Sequence, residues 1–148
     1  MNTDYLLCIV YRLIIVKTKD VMKIDERILK DSVFIKKLEL CELRQMRDGD
    51  CSWFLLIPLV ENAKEWIDLS PSEQIQLTTE IDTVCQKLMK FDKPDKVNIG
   101  ALGNMVPQLH IHIIGRYEND RAWPGAIWGT KSKKSYQNYM SDAWKDRF

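Results

Sequence analysis

Cysteine and net charge are both scarce in this chain, and each scarcity excludes a class of protein. The 148 residues include four cysteines but no Cys-x-x-Cys pair, so neither a disulfide framework nor a cysteine zinc site is indicated. The formal net charge is +1, which gives no basis for a nucleic-acid backbone or a membrane surface as partner. We therefore expect a cytoplasmic protein with no nucleic-acid or membrane partner.

A long hydrophobic run is also missing. Residues 5–16 are apolar apart from Arg12, but this run is shorter than the ~20 residues that cross a bilayer, and it has no small-residue cleavage site. We interpret residues 1–21 as an N-terminal extension, either an additional strand or a segment upstream of an alternative start at Met22. The composition, 45% hydrophobic and 29% charged, predicts one globular domain, which we place at residues 22–148.

The residue patterns after Met22 predict an α+β fold. Residues 24–33 have the pattern of a short amphipathic helix. Residues 38–43 alternate, residues 53–57 are all apolar, and the turn sequence Arg47-Asp48-Gly49-Asp50 lies between them, which predicts a β-hairpin. The second strand is apolar on both faces, which favours a central position in the sheet, and Pro58 is expected to close it.

The clearest helix start comes next in the chain. The sequence Ser70-Pro71-Ser72-Glu73 combines an N-cap serine, a proline at the first helical position and a capping-box glutamate. An apolar stripe follows at helical spacing: Leu77, Ile81, Val84 and Leu88. Residues 96–99 then resume strand character. We predict a mainly antiparallel sheet of about five strands with one long and one short helix.

The protein contains two histidines, and they lie two positions apart. In residues 107–114 polar residues alternate with large apolar ones, which is typical of a half-buried β-strand. This pattern places Gln108, His110 and His112 on one face. A neutral imidazole is a good nucleophile near pH 7 because its unperturbed pKa is about 6.5, so this face is a candidate site for attack on phosphorus.

Residues 100–105 form a loop directly before this strand. Gly100 and Gly103 permit tight turns and close approach of the backbone. The amides near Asn104 and Met105 are then expected to point at an anion beside the histidines. Together with a protonated His112, these amides would stabilise the charge that develops on a transferred phosphoryl group.

Residues 97–129 resemble the signature region of the histidine-triad (HIT) superfamily of nucleotide hydrolases and transferases. The family motif is His-φ-His-φ-His-φ-φ, where φ is apolar, and this chain has Gln108-Leu109-His110-Ile111-His112-Ile113-Ile114. Two of the three histidines and all four apolar positions match. Residues 116–129 are similar to the ending of bacterial HIT proteins described as diadenosine tetraphosphate hydrolases.

The resemblance implies a role for each polar residue of the motif. His110 would be the nucleophile, and His112 would assist at the phosphate and the leaving group. Gln108 stands where the family has its first histidine, and because glutamine cannot carry a positive charge, turnover would be altered or slowed. The implied nucleotide-binding residues are Asn98 and Asn104 near ribose or phosphate, with Gly103 and Met105 beside them, and Leu43, Gln45 and Met46 near the base.

The implied activity is hydrolysis or transfer at the α-phosphate of a purine nucleotide derivative, through a covalent nucleotidyl-histidine intermediate. The substrate would be a dinucleoside polyphosphate or a nucleoside phosphoramidate, with no cofactor and no metal. The resemblance also implies a HIT-like fold and a homodimer whose sheets join. Two alternatives stay open: a catalytically weak nucleotide-binding or adaptor protein, because Gln108 breaks the triad, and a His-x-His metal-binding protein.

The C-terminal part carries further expectations. Arg116 follows a strand, so we expect it at the surface, either solvated or paired with Asp120. Trp123 and Trp128, each followed by a turn-forming residue, are expected to pack the tail, within the chain or across a dimer interface, rather than to bind a base.

Overall fold

The structure is a computed structural model that describes residues 22–148, so the interpretation of residues 1–21 lies outside it. The α-helices and β-strands, in chain order, are α1 (Glu26–Asp31), β1 (Ser32–Lys37), β2 (Cys41–Met46), β3 (Trp53–Pro58), α2 (Pro71–Phe91), β4 (Lys96–Gly100), β5 (Ile111–Arg116) and α3 (Asn138–Lys145), and a 3-10 helix (Trp66–Asp68) precedes α2. The five strands form one sheet in the order β1-β2-β3-β5-β4, and every neighbouring pair is antiparallel. The predicted fold class is confirmed.

The predicted hairpin and long helix are both present. Strands β2 and β3 pair antiparallel, and β3 is central and buried along its whole length, as its apolar sequence indicates. Helix α2 begins with the expected capping box, because the Ser70 side chain accepts from the Glu73 backbone N–H and the Glu73 side chain accepts from the Ser70 N–H. None of the helices within residues 22–148 is long and apolar enough to cross a membrane.

Two elements differ from the prediction. The first helix ends at Asp31, and Val33 belongs to the edge strand β1, where Ile35 is buried and Phe34 is exposed. A second short helix, α3, forms in the tail, because Trp144 buries its ring against the sheet with its centroid 4.8 Å from that of Phe54. Long-range burial therefore decides both segments.

The two faces of the sheet are covered differently. One face packs against α2 and α3, and its core includes Leu43, Phe54 and Ile113. The other packs against α1 and the C-terminal tail, with Ile28 and Ile127 in its core. Successive strand residues point to opposite sides, so His112, between Ile111 and Ile113, belongs to this second side. We call this side, which also carries Trp53 and Leu55, the histidine face.

Candidate active site

The two histidines lie together, although the strand that carries them is shorter than predicted. Strand β5 begins at Ile111, so His110 belongs to the segment before it. That segment is held to the fold by a hydrogen bond from the Leu109 backbone N–H to the Ala63 carbonyl (3.0 Å). Both histidines are buried, each with 8% of its surface exposed, and their ring centroids are 4.9 Å apart.

The proton position on His110 follows from one backbone contact. Its Nδ1 lies 2.6 Å from the carbonyl oxygen of Gln108. A carbonyl oxygen can only accept, so Nδ1 carries the proton and donates. In the neutral ring the proton is then absent from Nε2, which keeps its lone pair. His110 is in the tautomer that a nucleophile needs.

His112 has the opposite arrangement. The indole Nε1–H of Trp53 donates to Nδ1 of His112 at 2.8 Å, so the neutral ring carries its proton on Nε2. Burial, together with the smaller effect of the charge of His110, lowers the pKa of His112 to about 4. The sequence led us to expect a protonated His112, but the structure favours a neutral hydrogen-bond donor.

Gln108 interacts with the N-terminal segment through its side chain. Its Oε1 accepts from the backbone N–H of Asp25 at 2.8 Å, and its Nε2 donates to the carbonyl of Lys23 at 3.3 Å. The hydrogen bond between Gln108 and His110 uses the backbone carbonyl of Gln108 and not its side chain. At the first position of the motif, this glutamine therefore orders the residues that lead into α1.

The loop of residues 100–105, which we call the glycine loop, lies beside His110, as its position in the sequence suggests. Gly103 has a φ of +65°, a left-handed conformation that favours glycine. Met105 is exposed, and its carbonyl accepts from Nη1 of Arg27 at 2.6 Å. Arg27 also pairs with Asp25 at 2.7 Å, so it connects the start of α1 to this loop.

Asn98 lies on the histidine face, opposite Ile114 in the β4–β5 ladder. Its Oδ1 accepts from Nη1 of Arg116 at 2.7 Å. Arg116 pairs with Asp120 (2.6 Å), as expected, but it is only 2% exposed, so the expected surface position is wrong. The guanidinium is buried because Asn98, Asp120 and the Gly125 carbonyl satisfy its donors.

The three hairpin residues implied for the base do not lie together. Leu43 and Gln45 are fully buried on the face covered by the helices, since they are opposite Leu56 and Phe54 in the ladder. Met46 packs with the core of the histidine face. Leu43 and Gln45 therefore lie on the opposite side of the sheet from His112. Side chains alternate along β2, so Met46 points to the histidine face while Leu43 and Gln45 point away from it.

Two tryptophans near His112 were not among the sequence candidates. The Trp128 ring centroid lies 5.8 Å from that of His112 and 6.0 Å from that of Trp53, so the tail packs within its own chain. A Cβ at Gly100 would lie 3.2 Å from the Trp128 ring, so any larger residue there would require this ring to move by a few tenths of an ångström. The sequence predicts that Trp53 lies on a strand. Its position next to His112, however, depends on the register in which β3 pairs with β5.

Two depressions border this region. A cavity of 840 Å³ is lined by Gln108 and by charged residues of both signs, including Lys23, Asp25, Arg27 and Lys64. The histidines do not line it. A much smaller depression, of 10 Å³, contacts His110, Gly103 and Leu102. Within residues 22–148, no group of three or more histidine, cysteine, aspartate or glutamate side chains could hold a metal ion.

Comparison with known proteins identifies the fold. The model of the HIT domain matches residues 28–119. A histidine triad (HIT) protein from Sinorhizobium meliloti 1021 is 38% identical with a TM-score of 0.81, over 85% of this chain and 93% of that one. A histidine triad protein from Bradyrhizobium japonicum is 37% identical (TM-score 0.81; 85% and 94%), and one from Marinobacter aquaeolei VT8 is 34% identical (0.80; 86% and 93%). No curated protein matches this chain.

Proposed function

Because this chain belongs to the HIT domain family, we propose that it hydrolyses or transfers the nucleotidyl group of a purine nucleotide derivative through a covalent intermediate on His110. The observation that carries the proposal is the pair of opposite tautomers. The Gln108 carbonyl leaves Nε2 of His110 with a lone pair, and the Trp53 indole leaves Nε2 of His112 with a proton. A nucleophile and a hydrogen-bond donor thus lie side by side.

In the first step, Nε2 of His110 attacks the α-phosphorus. A phosphorus–nitrogen bond forms, the bond to the leaving group breaks, and the leaving group keeps the electron pair. The positive charge left on the imidazole strengthens the hydrogen bond from Nδ1 to the Gln108 carbonyl. Water then attacks the same phosphorus, the phosphorus–nitrogen bond breaks with its pair returning to Nε2, and the water proton passes to solvent.

His112 and the glycine loop would stabilise the phosphoryl oxygens in both steps. Nε2–H of His112 supplies one donor, and the amides of Gly103, Asn104 and Met105 are the proposed others. Asn98 shares the histidine face and keeps its amide NH₂ as a further donor. The cavity beside Gln108 has a volume within the range of about 300–1,000 Å³ for small-molecule sites, so we propose that it receives the remainder of the substrate.

Intact-protein mass spectrometry tests the covalent step. The protein is mixed briefly with diadenosine tetraphosphate, an adenosine phosphoramidate or their guanosine counterparts, and quenched in alkali, which preserves a phosphorylated imidazole. We expect a nucleotidyl adduct on the parent chain and none on His110→Ala. The mass of the adduct identifies the base.

The matched control is His112→Ala, which removes the donor but keeps the nucleophile. It should slow turnover less completely than His110→Ala. Hydrolysis that continues unchanged in His110→Ala would remove the proposed mechanism, and a greater loss in His112→Ala would mean that the two roles are reversed.

A second candidate function is nucleotide binding with little turnover. The observation in its favour is that Gln108 uses its side chain on the N-terminal segment rather than on the histidines. Binding seen by thermal shift, with neither adduct nor product, would identify it.

We propose that the domain runs over residues 22–148, with residues 1–21 as an extension, and that the protein is cytoplasmic. We also propose a homodimer whose sheets join at β4. Its support is that β4 is an edge strand of the described sheet and that Ile99 on it is 52% exposed.

A further inference from the structure

The contact between Trp53 and His112 constrains more than the position of a ring. Trp53 is 7% exposed, and its indole nitrogen lies 2.8 Å from Nδ1 of His112. An indole N–H donates and cannot accept. A proton on Nδ1 would therefore face another proton, so the contact disfavours the doubly protonated imidazolium as well as the other neutral tautomer.

The other neighbours of His112 do not offset this. On the adjacent strands it lies opposite Leu55 and Gly100, and Trp128 covers another side of its ring. Its titratable neighbour is His110, whose charge disfavours a second positive charge. No carboxylate of the described residues contributes to raising the pKa of His112.

We infer that Trp53 is a positioning residue that holds His112 as the neutral Nε2–H tautomer, and that the site therefore favours substrates whose leaving group departs as an anion. The inference rests on the proposed function and narrows its substrate class. It selects nucleoside phosphoanhydrides, such as dinucleoside polyphosphates, over nucleoside phosphoramidates.

This substrate preference follows from which atom keeps the electron pair when the bond between phosphorus and the leaving group breaks. When a phosphoanhydride bond breaks, the bridging oxygen keeps the pair and leaves as a phosphate anion, which needs a hydrogen bond but no proton. When a phosphoramidate bond breaks, the nitrogen keeps the pair and must gain a proton to leave as an amine. A neutral His112 can donate a hydrogen bond from Nε2, but giving up that proton would leave an imidazolate, so it is a poor general acid.

The first experiment reads the tautomers directly, without substrate. Long-range proton–nitrogen correlation NMR of the parent chain should show His112 protonated on Nε2 alone at neutral pH, and His110 protonated on Nδ1. In Trp53→Phe the packing is largely kept but the indole donor is lost, so His112 should become a mixture of tautomers.

Trp128→Phe is the matched control. Trp128 also packs on the ring of His112, but it makes no hydrogen bond with it, and its Nε1 has no partner among residues 22–148. This variant should keep the tautomer of the parent chain. A parent His112 that carries its proton on Nδ1, or on both nitrogens, overturns the inference even if Trp53→Phe does not fold.

The second experiment compares kcat/KM for diadenosine tetraphosphate and an adenosine phosphoramidate. The parent chain should prefer the tetraphosphate. Trp53→Phe removes the donor that disfavours a proton on Nδ1, while burial and the charge of His110 remain. His112 can then act as an acid more readily than in the parent chain, so this preference should fall by up to about tenfold, part of the 10²–10⁴-fold usual for general acid–base catalysis. Trp128→Phe should keep the preference of the parent chain.

The outcomes separate the two proposals. A parent chain that cleaves the phosphoramidate faster overturns the inference and leaves the proposed function intact. A parent chain that cleaves neither substrate overturns the proposed function and the substrate preference together, while the NMR result still decides the tautomer.

Discussion

At the residue scale, the two histidines are one residue type with two different hydrogen-bond partners. A carbonyl oxygen faces Nδ1 of His110, and an indole N–H faces Nδ1 of His112. The first can only accept and the second can only donate, so the rings hold their protons on opposite nitrogens. The proton position on each histidine is thus set by one neighbouring atom.

Gln108 is the residue at which this chain departs from the triad, and its side chain has a testable structural role. Replacing it with alanine in Gln108→Ala removes the bond to the Asp25 N–H (2.8 Å) and should lower the free energy of unfolding by about 1 kcal/mol. Amide exchange at Asp25 should quicken. The tautomer of His110 should not change, because its partner is the backbone carbonyl. Urea unfolding and exchange NMR measure both effects.

Gln108→Glu serves as the control, because it keeps an acceptor for the Asp25 N–H and loses the donor to the Lys23 carbonyl. Exchange at Asp25 should stay close to that of the parent chain. Equal protection of Asp25 in the alanine variant and in the parent would show that the side chain does not order this segment.

At the element scale, α2 is linked to the sheet by a carboxylate as well as by its apolar stripe. Glu80 is 4% exposed and accepts from the backbone N–H groups of Leu40 (2.7 Å) and Cys41 (3.0 Å) at the start of β2. In the sequence it looks like a solvated residue between Leu77 and Val84. The structure buries it because two backbone donors need an acceptor there.

We therefore expect Glu80→Ala to destabilise the protein, although alanine is the better helix former. Loss of hydrogen bonds to a charged acceptor, with the buried N–H of Cys41 and the part-buried N–H of Leu40 left unpaired, should lower the free energy of unfolding by about 2–3 kcal/mol. Urea denaturation measures it. Asp82→Ala on the exposed side of the same helix is the control and should change stability little, so similar losses in both variants would contradict this role.

At the scale of the whole molecule, the buried His112 links stability to pH. Its pKa is lowered from 6.5 to about 4, so between these values the unfolded chain takes up a proton that the folded chain refuses. The contribution of His112 to the free energy of unfolding is fully present above pH 6.5. As the pH falls from 6.5 to 4, up to about 3 kcal/mol of this free energy is lost. The free energy of unfolding should therefore decline over this range.

His112→Gln isolates this effect, because glutamine does not titrate and other groups are unchanged. Urea unfolding at several pH values should give a shallower decline between pH 6.5 and 4 for the variant than for the parent chain. Parallel curves would show that His112 titrates normally in the folded protein.

Local signals in the sequence predicted the parts of the molecule whose causes are local. The capping box at Ser70 and Glu73 spans three residues, and the apolar run before Pro58 is contiguous, so α2 and the central strand were recognised. The position of the half-buried Val33 in an edge strand and the burial of Trp144 of α3 against the sheet depend on distant packing, and the sequence did not predict either.

The sequence by itself determined that His110 and His112 share one part of the fold, because their separation by two residues needs no distant partner. Only the tertiary structure decided what each histidine can do. The Trp53 donor is 59 residues from His112 and meets it through the β3–β5 register, and the same registers direct Leu43 and Gln45 to the opposite face. A residue pattern encodes periodicity, but the proton position on an imidazole depends on which distant atom packs against it.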